Sequence, residues 1–127
     1  MQPTRELQPA LQPGRYVFVA LPADADVRVE DLVATVRELE GLSAIVPEQF
    51  AIDHGWVAGF TAAWITLTVH SDLEAVGLTA AFSTALGDAG ISCNVVAGLR
   101  HDHLFVPVER ADDAMEVLRA LQASAGG

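Results

Sequence analysis

The chain has no lysine. All seven of its basic residues are arginines, set against 17 acidic residues, for a formal charge of −10 over 127 residues. With no basic cluster, a nucleic-acid backbone is repelled at long range, and docking on an anionic membrane surface is disfavoured. Cysteine occurs once, as Cys93, which excludes an intramolecular disulfide and fits a reducing compartment. No apolar run approaches the ~20 residues of a membrane-spanning helix, and Met1–Gly14 lacks the apolar core of a signal peptide. A cytoplasmic location is therefore expected. Glycine-rich phosphate loops, the G-x-S-x-G elbow and H-E-x-x-H are also missing. What remains is 51% hydrophobic, too apolar for disorder and long enough for one compact domain or two small modules sharing a core.

The clearest periodicity lies in the second half. Trp64–Val69 is rich in β-formers and reads as a buried strand. Leu78, Ala81, Phe82, Ala85, Leu86 and Ala89 recur on one helix face, and Gly90 stands where a left-handed residue closes such a helix. Ile91–Ala97 and Leu104–Val108 follow as strands joined by a short connection, hence an antiparallel hairpin. The helix between Trp64–Val69 and Ile91–Ala97 favours a parallel, right-handed crossover. An amphipathic helix over about Ala111–Ala123 ends the run.

The first half is less regular. Met1–Gly14 suggests a loose turn or short helix around Arg5–Gln8, tethered through Leu7 and Leu11, and Arg15–Leu21 alternates as a strand. Val29, Leu32, Val33, Val36 and Leu39 mark a helical stripe with Glu30 and Asp31 in its first turn and Gly41 at its end. Leu42–Val46 reads as a strand stopped by Pro47, Gln49–Ile52 as one helical turn and Trp56–Phe60 as a short strand. The order of elements repeats weakly between the halves. The second half lacks a fourth strand, and Arg15–Leu21 is the candidate to fill that edge.

Four features could carry chemistry. His101 and His103 sit at i and i+2 and could share a metal with Asp102, but two histidines fall short of the ligand count of a stable zinc site. Polar contacts at the mouth of a hairpin are the simpler reading. Ser71-Asp72-Leu73-Glu74 fits a capping box, and Gly77 interrupts the helical run behind it. Amides exposed at such a break could hold a carboxylate, unless they serve only as a helix entry. Asn94 stands among apolar strand neighbours and needs partners for its amide. Cys93 faces the opposite way, with Ile91 and Val95, as a small core residue. The acidic pairs Glu30–Asp31 and Asp112–Asp113 fall in first turns of helices and complement their dipoles.

Asp-Leu-Glu-Ala-Val-Gly-Leu-Thr-Ala at Asp72–Ala80, Ile-Ser-Cys-Asn-Val-Val-Ala-Gly at Ile91–Gly98 and His-Asp-His-Leu-Phe-Val-Pro at His101–Pro107 resemble a small bacterial family of ACT-domain-containing proteins. More loosely, Gly90–Asn94 is similar to the strand entry of aspartokinase-type ACT modules. Leu11-Gln-Pro-Gly-Arg-Tyr-Val-Phe18 resembles the companion module of the same family. The resemblance implies an α+β, ferredoxin-like fold: a mixed, mostly antiparallel sheet with helices on one face. It implies two interdependent ACT-like modules, 1–61 and 62–127, with strand 15–21 completing a shared sheet. It implies a regulatory protein without catalytic activity or cofactor that binds a small molecule of the amino-acid class and forms a homodimer. The effector is then expected to be held by His70, Ser71, Asp72, Val76, Gly77, Leu78, Asn94 and Val95. An interaction module with no effector, or a small metal-dependent enzyme using His101, Asp102 and His103, are the alternatives.

Overall fold

The computed structural model describes residues 7–68 and 77–126. The expected capping box and the site residues His70, Ser71, Asp72 and Val76 lie outside these residues, as does most of the expected Arg5–Gln8 turn. In chain order the elements are β1 (Pro9–Leu11), β2 (Tyr16–Ala20), β3 (Ala34–Glu38), β4 (Gly41–Pro47), α1 (Glu48–His54), β5 (Phe60–Leu67), α2 (Leu78–Asp88), β6 (Asn94–Ala97), β7 (Asp102–Pro107) and α3 (Ala111–Gly126). They group into two units, Gly14–Ala62 and Met1–Pro13 with Ala63–Gly127. Strand β5 starts in the first and continues into the second.

In the unit Gly14–Ala62 the strands are antiparallel in the order β3, β4, β2 and the first residues of β5. Val17, Val19, Ala44, Val46 and Ala51 form its small core, with Phe50 and Trp56 packed against it. Gly55, at φ 72°, ends α1, and the Trp56 amide returns to the Ala51 carbonyl. The helix expected over Val29–Leu39 is absent. Only a 3-10 turn forms at Val29–Asp31, and Ala34–Glu38 instead pairs with β4 through a two-residue loop at Leu39–Glu40. Of the apolar stripe, Leu32 packs against the small core, whereas Val29, Val36 and Leu39 are 83%, 55% and 100% exposed. Thr35 and Val36 suit a strand, and Gly41, at φ 135°, supplies the positive backbone angle beside the loop. The short strand expected at Trp56–Phe60 begins only at Phe60.

The unit containing Ala63–Gly127 orders its strands β1, β5, β7, β6. The β6–β7 hairpin is antiparallel as expected, whereas β7 lies between β5 and β6. Ala63, Ile65 and Leu67 of β5 and Leu104 and Val106 of β7 turn toward Leu78, Phe82 and Leu86 of α2 and Ala114, Met115 and Leu118 of α3. Each fully buried large side chain contributes roughly 1.5–3 kcal/mol. Gly90, at φ 73°, stops α2 where expected, and the Arg110 guanidinium donates to the Ala89 carbonyl at 3.2 Å.

Beside Leu67 to Ile65 lies β1, antiparallel, with Leu7 wholly buried in this core. The Gln8 amide is tied to Gln122 Oε1 of α3 at 2.6 Å. Tyr16–Ala20 lies between β4 and the first residues of β5, Phe60–Ala62. A three-residue strand containing Pro9 has no alternation to announce it. Leu7 and the pairing with β5 make it.

Candidate functional site

Gly77 opens α2 at φ 103° and ψ −40°, a conformation that side-chain-bearing residues rarely adopt. Its carbonyl accepts the Ala81 amide, the first bond of the helix. The amides of Leu78, Thr79 and Ala80 precede that bond and have no partner within the helix. Among the described residues no side chain caps this end, and the first turn of α2 holds no carboxylate. The other two helices differ, with Glu48 in the first turn of α1 and Asp112 and Asp113 in that of α3. Of the expected site residues here, Gly77 is exposed, while Leu78 is buried in the core.

Asn94 and Val95 are the first residues of β6. The strand is shorter than expected because Ile91–Cys93 stays irregular, with the Ile91 amide bonded to the Leu86 carbonyl at the end of α2. Asn94 is therefore exposed at a strand start, not buried in a strand interior. The ladder opposes Asn94 to Phe105 and Val95 to Leu104. Val95 thus lies on the helix side, and Asn94 on the opposite face with Phe105. The chain enters β6 from the end of α2 opposite Gly77, and an 11-residue helix is ~16 Å long. No hydrogen bond links Gly77 to Asn94 among the described residues.

The face turned away from the helices carries a polar and aromatic cluster that sequence reasoning did not assemble. Trp64 Nε1 donates to His103 Nδ1 at 3.1 Å, and Thr66 Oγ1 lies 3.2 Å from the same nitrogen. Gln12 Nε2 donates to Thr66 Oγ1 at 3.1 Å. The Trp64 ring stacks on Phe105, with centroids 6.0 Å apart. Trp64 and Thr66 are two apart on β5, so their shared face was the available signal. Burial, followed by neighbouring His101, lowers the His103 pKa, and Asp102 opposes them. Nδ1 is thus engaged by β5, and among the described residues no three His, Cys, Asp or Glu side chains converge to hold a metal. Cys93 packs against the core, and burial pushes its thiol up to about 11, far from a thiolate nucleophile.

A separate cavity of about 350 Å³ opens in the unit Gly14–Ala62, with Phe18, Glu38, Glu40 and Leu42 among its walls. None of the expected site residues lines it. No described helix is long and apolar enough to cross a membrane.

Family models of the ACT domain match this chain twice, over residues 60–120 and residues 4–63. A crystal structure from Vibrio cholerae, of a protein of unknown function described as a possible transport protein, is 40% identical. The match covers 94% of this chain and 92% of that one, with a TM-score of 0.79. A protein from Agrobacterium tumefaciens is 17% identical over 90% of this chain and 87% of its own, at TM-score 0.68. The regulatory subunit of aspartate kinase from Thermus thermophilus shares the fold at 11% identity and TM-score 0.64, covering 89% and 96%. No curated protein matches significantly. With the ACT domain matched in both halves, and its ferredoxin-like α+β arrangement in the structure, this chain belongs to the ACT-domain family.

Proposed function

We propose that the chain is a regulatory protein that binds a small molecule of the amino-acid class, works as a cytoplasmic homodimer and catalyses no reaction. The observation that carries this is the start of α2. Its amides without a partner in the helix and its partial positive charge suit a carboxylate, and neither a capping side chain nor an acidic residue among the described positions competes for them. Gly77 gives a ligand close access to that backbone. Family membership supports the regulatory role, as does the fold shared with aspartate kinase regulatory subunits. The exposed carboxamide of Asn94 offers both donors and an acceptor to the amino and carboxylate groups of such a ligand. The chain turns into β6 at the end of α2 opposite Gly77, which favours a site shared by two copies, each contributing one of these elements.

A thermal-shift screen of the twenty amino acids tests this. One of them should raise Tm, since a ligand at 100 Kd adds about 2.7 kcal/mol. Calorimetric titration should then show weaker binding by Gly77→Val and by Asn94→Ala. A screen without a hit would favour an interaction module with no effector. A hit whose affinity survives both substitutions would move the site elsewhere.

A further inference from the structure

His103 is the end point of a chain of donors. An indole N–H can only donate, so the bond from Trp64 Nε1 requires a lone pair on Nδ1 of His103. The Gln12 amide donates to Thr66 Oγ1. That leaves the threonine hydroxyl proton to point at the same Nδ1, 3.2 Å away. The neutral ring therefore carries its proton on Nε2. Thr66 is 5% exposed, so water does not readily replace the imidazole as acceptor.

Among the described residues the charges around the ring are few. His101 and Asp102 precede it on its own strand and turn, with Arg100 at the turn. Facing it, β5 (Phe60–Leu67), β6 (Asn94–Ala97) and the segment Leu7–Pro13 contain no ionisable side chain. A proton on Nδ1 would meet two donors and gain no new partner from these elements.

We propose that His103 is a proton-operated latch: its neutral ring ties Trp64 and the Gln12–Thr66 pair to β7, and protonation releases that tie. Burial and His101 hold its pKa below the ordinary value, against Asp102, so the latch is closed at neutral pH and opens on acidification. Opening breaks the bond from the Trp64 indole to His103 and loosens the face shared by β5 and the β6–β7 hairpin, while the backbone ladder persists.

The test is NMR on the full chain labelled with ¹⁵N. At neutral pH the His103 ring should show the Nε2–H tautomer. The Trp64 indole N–H, assigned by its loss in Trp64→Phe, should shift with a single midpoint below that of an ordinary histidine as pH falls from about 7.5 to about 5. Over the same range its protection from exchange, corrected for the intrinsic rate, should drop about tenfold or more. His103→Gln keeps an acceptor but does not titrate, so its indole protection should stay level. An Nδ1–H tautomer at neutral pH overturns the latch, as does an indole N–H indifferent to His103 titration. So does an equal loss of protection in His103→Gln. The tautomer and titration are read on the unaltered chain, so they decide the matter even if the variant does not fold.

Discussion

Gly98 lies against the edge of the His103 imidazole. A Cβ at Gly98 would stand 3.1 Å from Nε2 of that ring and 3.1 Å from the His101 carbonyl oxygen. The Gly98 amide also donates to that carbonyl at 2.9 Å, across the four-residue connection between β6 and β7. One of the two neighbours is backbone held by the loop, and the other is a ring held by Trp64 and Thr66.

Gly98→Ala should accordingly destabilise the chain, by about 1–3 kcal/mol as in other overpacked sites. Urea denaturation measures it. Combining it with His103→Ala should recover part of the loss, because the pair shares one contact. Strict additivity would show that the ring does not oppose the methyl.

Leu7→Ala should cost about 2–5 kcal/mol, the range for deleting a buried leucine. Leu7 is 0% exposed within the core formed by α2, α3, β5 and β7. The same denaturation midpoint reads the effect. A loss below about 0.5 kcal/mol, typical of surface substitutions, would mean that the N-terminal segment is not part of that core.

Acid should weaken the fold through His103. The unfolded chain takes up a proton near the ordinary value of 6.5, and the folded chain only at lower pH. Between those values the unfolded state binds more protons, so stability rises with pH there. The contribution is complete above about 6.5 and is lost as pH falls toward the folded pKa. Urea midpoints of the parent chain should fall between about pH 7.5 and about pH 5, and by less in His103→Gln. Equal falls in both proteins would remove His103 from the acid response.

Cys93 should resist thiol reagents. With its pKa at about 11, only about one thiol in a thousand is ionised at pH 8, and packing limits access further. Modification by a disulfide reagent should be far slower in the native chain than in urea. Rapid native labelling would show that the thiol is neither packed nor suppressed.

Much of the second half was legible because its signals are local. Leu78, Phe82 and Leu86 repeat at helical spacing, Gly90 ends the helix, and the hairpin needs only a short connection. The first half defeats local reading at β3. Val29, Leu32, Val33, Val36 and Leu39 obey helical periodicity, yet pairing of Ala34–Glu38 with Gly41–Ile45 decides the outcome. A stripe shows a possible face, not whether anything waits to cover it. The segment Pro9–Leu11 is harder still, since its partner strand lies more than fifty residues away. Of the candidate site, Gly77 was legible from its break in the helix period. Asn94 was placed on its strand but read as interior, because where a strand begins depends on how α2 hands over to it. The Trp64–Thr66–His103 cluster required knowing that β5 and β7 are neighbours, which no spacing announces.

The placement of Leu7 also orders the birth of the fold. The core that Leu7 enters needs Leu118, which emerges from the ribosome more than a hundred residues later, and Gln8 waits even longer for Gln122. Everything from Gly14 to Ala62 is made in the interval and can form β2, β3, β4 and α1 from its own contacts. Once folded, that segment brings its two ends together, through Tyr16 paired with Ala62. It thereby shortens the loop that β1 must close to reach β5. Loosening the β2–β5 pairing should slow completion of the other core well before it changes the finished structure.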